Sequence, residues 1–504
     1  MPQSDIVVLG GGSAGFIAAI TLKRLLPQLS VRVVRSKELG IIGVGEGTTP
    51  YFPKHLHTFL GLPPQDFYHR AQPTWKLGLR FIWGARGEFH YTFENQFSLR
   101  WKDLLRNNGF YCDDDIWDFG LFSALMKRNR AFPPGPNGRP EIPFTTTAYH
   151  IENAKLVGYL EWQAMKLGIE ITDGTVRNVG RDGENVTHLE LETGDQIQGE
   201  FFVDASGFHA KLIGETFQEP FIDFSDALFC DRAVIGPRLR DRNEPIRPYT
   251  TCETMNHGWC WRIDHEQHIN RGYVYSSHFV SDEEAEREFR RKNPKVKDVR
   301  IVKFRSGRYR RAWIGNVVAV GNASGFVEPL EATALMILCN QCAILGKGLL
   351  DSLGDPPPTL VALYNDFLGR HWDETRDCLA LHYKFNTLMD TPFWQHCRAN
   401  TPLRSAQRLV DFYIENGPSI LADGNLTWSG SMFGIEGYYA LLVGMKVPHN
   451  KIYQVPAEER ARWDKHRSEI VRIAESGLTV SEALSVVRDP KTIWHQGQIA
   501  KAGA

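Results

Sequence analysis

The chain has 504 residues, 42% of them hydrophobic and 23% charged, with 58 Lys plus Arg against 59 Asp plus Glu for a formal net charge of -1. Such a length suggests roughly three units of about 150 residues, and an aromatic content of 12% excludes a disordered chain. The neutral balance argues against nucleic acid or an anionic membrane surface as the main partner.

The first residues lack the positive region of a signal peptide, because Asp5 stands there and the apolar stretch is loaded with glycine. Ile6-Val7-Val8-Leu9 predicts a buried parallel strand, Gly10 to Gly15 a turn, and Phe16 to Leu26 a helix closed by Pro27. Val31, Val33 and Val34 give the next strand. Trp75, Leu77, Leu79 and Phe81 alternate like one strand face, which by pattern alone places Lys76 and Arg80 on its solvated side. Ala131 to Pro143 is a proline-rich loop, and Thr187 to Glu192 and Phe201 to Val203 read as strands. Asp282 to Arg300 reads as a solvated helix with its loop.

A strand at Val317 to Val320 leads through Gly321-Asn322-Ala323 into a long apolar helix. That helix, Thr333 to Leu350, is broken by Asn340, Gln341 and Lys347 and reads as a buried core helix, not a membrane span. Three prolines between Gly354 and Pro358 mark a boundary between residues 1–350 and a mostly helical part, 351–504. The 8 cysteines follow no disulfide rhythm, which points to reduced thiols and the cytoplasm. No metal site is expected. Cys339-x-x-Cys342 lies in the apolar helix without a second pair, and His265-Glu266-Gln267-His268 is one residue short of a zinc-peptidase motif. His150, His382 and His396 read as structural.

Gly10-x-Gly12-x-x-Gly15 follows a strand and opens a helix, the context of a dinucleotide-binding turn. The first glycine permits the tight turn, the second lets backbone approach a pyrophosphate, and the third lets helix and strand pack. Ser13 and Ala14 then start the helix whose N-terminus faces the anion. An acidic residue is expected about 20 residues on, where this chain has Arg35 and Ser36. An arginine there suits either a 2′-phosphate or a looser grip on FAD.

Four further segments carry a resemblance. They are Gly43-Val44-Gly45-Glu46-Gly47-Thr48-Thr49-Pro50, Lys76 within Thr74 to Phe81, Gly258-Trp259-Cys260-Trp261-Arg262-Ile263, and Gly325-Phe326-Val327-Glu328-Pro329-Leu330-Glu331-Ala332-Thr333. In this order they resemble the flavin-dependent halogenases, especially the tryptophan-halogenase family; Asp204 to Phe208 and Asp390 to Trp394 add to the likeness. The sequence departs from the family pattern at Asp264, where a proline is usual, and at Ala332, where a serine is.

The resemblance implies an α/β fold: a Rossmann-type FAD-binding box of the monooxygenase kind, with inserted strands and a mostly helical C-terminal substrate-binding part. It implies a two-component enzyme that uses FAD as FADH2, O2 and a halide ion, with a separate NAD(P)H flavin reductase as transient partner. Halide would take an oxygen from a flavin hydroperoxide, and the resulting hypohalous acid would travel inside the protein to an aromatic small molecule. Lys76 and Glu331 correspond to the family's catalytic lysine and glutamate. A buried ammonium donates a hydrogen bond to hypohalous acid, and a neutral amine forms a haloamine. A fixed carboxylate stabilises the arenium intermediate and takes its proton, although an acid at a helix start also answers the macrodipole.

Gly10, Gly12, Ser13, Ala14, Gly15, Gly45, Glu46, Gly321 and Gly325 are expected at the cofactor, and the backbone of Thr333 and Ala334 at the halide. Trp259 and Trp261, two apart on a strand, either wall the flavin from the substrate or simply pack the core. Trp394, Trp428, Phe433, Tyr438 and Tyr439 are candidates for a pocket open to indoles and phenols, and the altered loop at Ala332 and Ala334 suggests bromide or iodide over chloride. An aromatic hydroxylase and a silent flavin-binding relative are the rival readings. Neither nucleic acid nor membrane is expected as a partner, and a homo-oligomer is compatible with the sequence.

Overall fold

A computed structural model describes residues 4–38, 45–94, 120–135 and 146–489. Gly43, Val44 and Cys112, and the proline-rich loop from residue 136 onward, lie outside the described residues.

Parallel pairing organises the first sheet. Strand Ser4–Leu9 lies between Gln196–Asp204 and Val31–Arg35, and both pair with it in parallel. Glu170–Asp173 extends one side and Val317–Ala319 the other, again in parallel. An antiparallel ribbon, Val176–Asp182 with Asn185–Leu191, continues the order beyond Gln196–Asp204. Helix Ser13–Leu25 packs against helices Asn153–Lys166 and Ala334–Asp351. Its residues Gly15 to Leu22 are all buried, as expected for a helix that is apolar on every side. Among the described residues, Ala334–Asp351 is the one helix long and apolar enough to cross a membrane, and 67% of it is buried inside the protein.

The second sheet has seven strands, ordered Arg300–Lys303, Arg232–Leu239, His268–Tyr275, Gly258–Asp264, Thr250–Met255, Gly78–Ile82 and Phe89–Thr92. All its pairings are antiparallel except the join of Thr250–Met255 to Gly78–Ile82. A small third sheet places Ala148–Ile151 between Glu46–Gly47 and Thr74–Lys76. The single strand read across Trp75 to Phe81 is therefore two strands in different sheets, separated at Leu77. Changing sheets turns Lys76 inward, and its side chain is 0% exposed. The solvated-face reading of Lys76 is wrong for that reason, while Arg80 remains half-buried beside Glu88.

Helices Pro358–Phe385, Pro392–Asn400, Gln407–Asn416, Gly434–Gly444, Ala457–Glu475 and Val480–Arg488 follow. One apolar cluster runs from Ile6 to Val487, so the core is continuous across residue 350. The seven cysteines among the described residues are buried and free.

Asp264, which stands where the related pattern has proline, ends strand Gly258–Asp264 with a fully buried carboxylate. Arg262 Nε donates to it at 2.7 Å, Arg240 Nη2 lies 3.2 Å away, and the Arg247 amide donates at 3.1 Å. Burial opposes ionisation, but the Arg262 hydrogen bond and the two guanidinium charges outweigh it and hold the carboxyl below its ordinary value. Its stabilisation is therefore complete above the ordinary carboxylate range and is lost as pH falls through the lowered value. Asp264→Ala should cost roughly 3–5 kcal/mol by leaving the buried Arg240 guanidinium without its carboxylate, while Arg262 keeps Glu244 at 2.8 Å. Denaturant titration at pH 7 checks this, and the gap from the wild type should narrow as pH falls through the lowered value.

Candidate active site

Two contiguous clefts occupy the space where the sheets meet. The first, about 380 Å³, runs along the glycine turn and is lined by Gly10, Gly12, Ser13, Ala14, Arg35 and Gly321. The second, about 170 Å³, is a mainly apolar chamber that holds Lys76 and Trp261. Glu46, Phe208, Asn322 and Ala334 line both.

The glycine turn has room for a dinucleotide. A Cβ on Gly12 would meet nothing within 4 Å, so the backbone is open towards the cleft, and helix Ser13–Leu25 begins with no side-chain cap on its amides. Gly10 (φ +129°) and Gly15 serve the turn itself. Their added Cβ atoms would fall 2.2 Å from the Ala205 carbonyl oxygen and 1.8 Å from the Gly10 carbonyl oxygen. Gly15 thus stands behind the cleft, in the close helix–strand contact. Arg35 is engaged by Glu161 at 2.7 Å and Asp173 at 2.8 Å. With two carboxylates on it, the guanidinium is not a free receptor for a 2′-phosphate.

Other expected cofactor residues divide by place. Gly45 lines the Lys76 chamber rather than the first cleft. Glu46 faces both, and burial raises its carboxyl to about 7. Gly325 lines neither; it packs against Trp372 and the Gly307 backbone, where a Cβ would sit 2.9 Å from each.

Lys76 Nζ is fully buried and has no hydrogen-bond partner among the described residues. Burial lowers its pKa to about 8, against the smaller opposing influence of Cys252 and Glu331. Nearby lies the Phe93 ring, its centroid 5.3 Å from Nζ. The segment Glu328 to Thr333 forms the adjoining wall. Pro329, Leu330 and Ala332 face the chamber, and Ala332 holds a left-handed backbone with φ +55°. Glu331 turns away from the chamber, its Oε1 2.8 Å from His382 Nε2 but out of line for a hydrogen bond. The Phe81 ring lies 5.1 Å from the His382 ring. Tyr91 is within electrostatic reach of Glu331, Cys378 and Glu436.

Thr333 caps helix Ala334–Asp351, whose first amides have no carbonyl four residues back. Ala334 faces both clefts, whereas the Thr333 side chain is buried away from them. Trp261 lines the chamber with its Nε1 unpartnered. Trp259 lies 6.0 Å from it, ring to ring, and points into the core, where Nε1 donates to Glu328 Oε2 at 2.6 Å. Tyr383 donates to the same oxygen at 2.5 Å. Trp394 is also a core residue, stacked on Tyr383 and donating to the Met255 carbonyl. Tyr439 donates to the Ser419 carbonyl, and Trp428 to Glu374. Among the described residues no group of three or more His, Cys, Asp or Glu gathers as a metal site.

Comparison with known proteins then decides the family. The family model described as tryptophan halogenase matches residues 5–458. The chain belongs to the tryptophan halogenase family. The tryptophan 7-halogenase RebH of Lentzea aerocolonigenes is 31% identical over 485 residues, covering 87% of this chain and 89% of RebH. The tryptophan 6-halogenase ThaL of Streptomyces albogriseolus is 32% identical over 438 residues, covering 81% and 80%. Among solved structures, MibH, a lanthipeptide tryptophan 5-halogenase, superposes with TM-score 0.87 at 35% identity, covering 97% of this chain and 95% of its own. This halogenase is accordingly a flavin-dependent, FADH2-using enzyme of the tryptophan type. The family implies FAD, halide and O2, a flavin reductase as partner and an aromatic substrate.

Sequence reasoning read His382 as structural and did not place it beside Glu331, and it did not single out Phe93. Phe93 arrives on the hairpin that follows the Lys76 segment, its amide donating to the Leu77 carbonyl, whereas His382 comes from a helix far along the chain. For the glycine turn, Gly12→Ala should leave the melting temperature of the flavin-free halogenase unchanged and weaken FAD about tenfold or more, read by flavin fluorescence, because its Cβ fills the pyrophosphate space. Gly15→Ala should instead yield little folded protein.

Proposed function

We propose that this enzyme halogenates electron-rich aromatic rings of the indole or phenol type, with Lys76 holding hypohalous acid and Glu331 receiving the ring proton. The observation that carries this reading is the unpaired amine of Lys76, buried in a chamber contiguous with the flavin cleft. Bound as FADH2, the flavin supplies, with O2, the oxidising equivalent that converts halide to hypohalous acid. The chamber's mostly apolar wall offers that acid few competing hydrogen bonds before Lys76. There the ammonium donates to its oxygen, or the free amine, accessible near pH 8, takes the halogen.

Glu331 acts on the other side of the wall. Attack by the ring puts positive charge on the arenium, which a fixed carboxylate stabilises before accepting the departing proton. His382 Nε2 lies beside the carboxylate at 2.8 Å without a hydrogen bond to it. The names of the relatives support indole as the ring and show that position varies: 5, 6 and 7 all occur. Since one fold serves all three, regiochemistry belongs to the walls around the ring rather than to the lysine and glutamate. Tyr91, Phe93 and Tyr438 are the described aromatic residues we assign to those walls. Trp261 separates chamber from core, and the backbone at Thr333 and Ala334 receives halide.

Bromide and iodide are the proposed preferred halides, because they are easier to oxidise than chloride and the loop at Ala332 and Ala334 departs from the family. The test combines the enzyme, FAD, NADH, a flavin reductase and catalase with a panel of indoles and phenols, each halide in turn, read by mass spectrometry. Turnover should be highest with bromide or iodide. Lys76→Ala should lose at least about a hundredfold and Glu331→Gln about a hundredfold. Oxygen insertion without halogen overturns the reading in favour of a hydroxylase, and chloride outpacing bromide overturns the halide assignment.

A further inference from the structure

Thr250 opens the strand Thr250–Met255 and pairs in parallel opposite Leu79. Its side chain stands on the same chamber wall as Lys76. Gly47 shows how closely the two groups converge. A Cβ built there would lie 3.4 Å from Thr250 Oγ1, 3.5 Å from Lys76 Nζ and 3.6 Å from the Ala332 Cβ. Hydroxyl and amine therefore border one small space, kept free because residue 47 has no side chain. An added carbon there would be in ordinary van der Waals contact with all three groups.

Behind Thr250, His150 Nε2 lies 2.8 Å from Oγ1, and both residues are buried. Burial first, and then the charge of Lys76, pushes the imidazole down to about 3, so it is neutral at working pH. A neutral imidazole offers one donor and one acceptor. In one tautomer Nε2–H donates to Oγ1 and the threonine O–H is free to donate to a guest in the space before Lys76. In the other the threonine donates to Nε2 and presents lone pairs instead. Either way the imidazole occupies one side of the hydroxyl and leaves the other open to the space before the amine.

We propose that Thr250 is a second polar contact for hypohalous acid beside Lys76, and that His150 is the positioning residue that holds its hydroxyl there. This rests on the halogenase reading of Lys76. Hypohalous acid carries one O–H donor and oxygen lone pairs, so it matches the hydroxyl in both tautomers while accepting from the ammonium. Two contacts on the oxygen fix which end of the molecule faces the ring; one contact lets it pivot and escape. In the transfer, the carbon–halogen bond forms as the oxygen–halogen bond breaks. The oxygen leaves as water with a proton from the Lys76 ammonium, and the ring proton passes to Glu331.

The experiment uses the enzyme with FAD, reductase, NADH, bromide, catalase and an indole, and reads two products. One is bromoindole; the other is free hypobromous acid captured by an added 1,3-diketone. Thr250→Val keeps the shape and removes the hydroxyl, Thr250→Ser restores it, and His150→Phe removes the support. Flavin affinity and melting temperature report folding for each. Thr250→Val should lower bromoindole about tenfold and raise trapped hypobromous acid, with flavin affinity unchanged, and Thr250→Ser should recover most of the loss. His150→Phe should leak in the same direction. A Thr250→Val enzyme with wild-type product and wild-type leakage overturns the inference while the Lys76 reading stands, as does a Thr250→Ser variant as impaired as the valine. Wild-type enzyme that makes neither product with any halide overturns both.

Discussion

An amine buried without a counter-charge is unstable in its charged form, and Lys76 is built under that constraint. Removing an ammonium from water costs several kcal/mol unless a partner compensates, and no described group hydrogen-bonds to Nζ. The protein meets the cost by letting the amine titrate near neutral pH rather than by pairing it. Glu331 lies within electrostatic reach of the amine but does not pair with it. Instead that carboxylate is turned towards His382. Amine and carboxylate influence each other through space without pairing.

The surrounding fold keeps that arrangement in place. The chain leaves the small sheet after Lys76 and enters the seven-stranded sheet at Gly78, so the lysine sits at a junction that neither sheet alone would bury. Gly47 keeps a small space open in front of Nζ. Glu328 fixes the far side by accepting from Trp259 and Tyr383, and burial raises its carboxyl to about 7. From the helix Pro358–Phe385, adjacent residues His382 and Tyr383 thus address Glu331 and Glu328, two acids three apart in sequence. The Tyr383 hydrogen bond to Glu328 ties helix to wall, with His382 packed beside Glu331.

Local physics made some of this legible in the sequence. The strand, glycine turn and helix at residues 4–25 depend on neighbours in the chain, and spacing revealed them. The helix from Ala334 is apolar and long enough to span a membrane by composition, so its core role rests on its burial inside the protein rather than on Asn340, Gln341 and Lys347. Lys76 was not legible from pattern, since alternation across Trp75 to Phe81 assumes one strand, and only non-local pairing shows the change of sheet. The same limit hid the contact between His150 and Thr250, 100 residues apart. Family resemblance pointed to Lys76 and Glu331 but not to the groups that hold their surroundings, and it drew Gly325 into a cofactor role that its packing does not support.

The proposed chemistry turns on the protonation of one amine, so the decisive measurement is the titration of Lys76 itself. Protein labelled with 13C at lysine Cε would be titrated by NMR in the presence of catalase and the absence of flavin, with the Lys76 signal assigned by its loss in Lys76→Arg. A midpoint near pH 8 is the predicted result. A midpoint at or above 10, the ordinary lysine range, would mean that the amine is solvated or paired and would contradict the account.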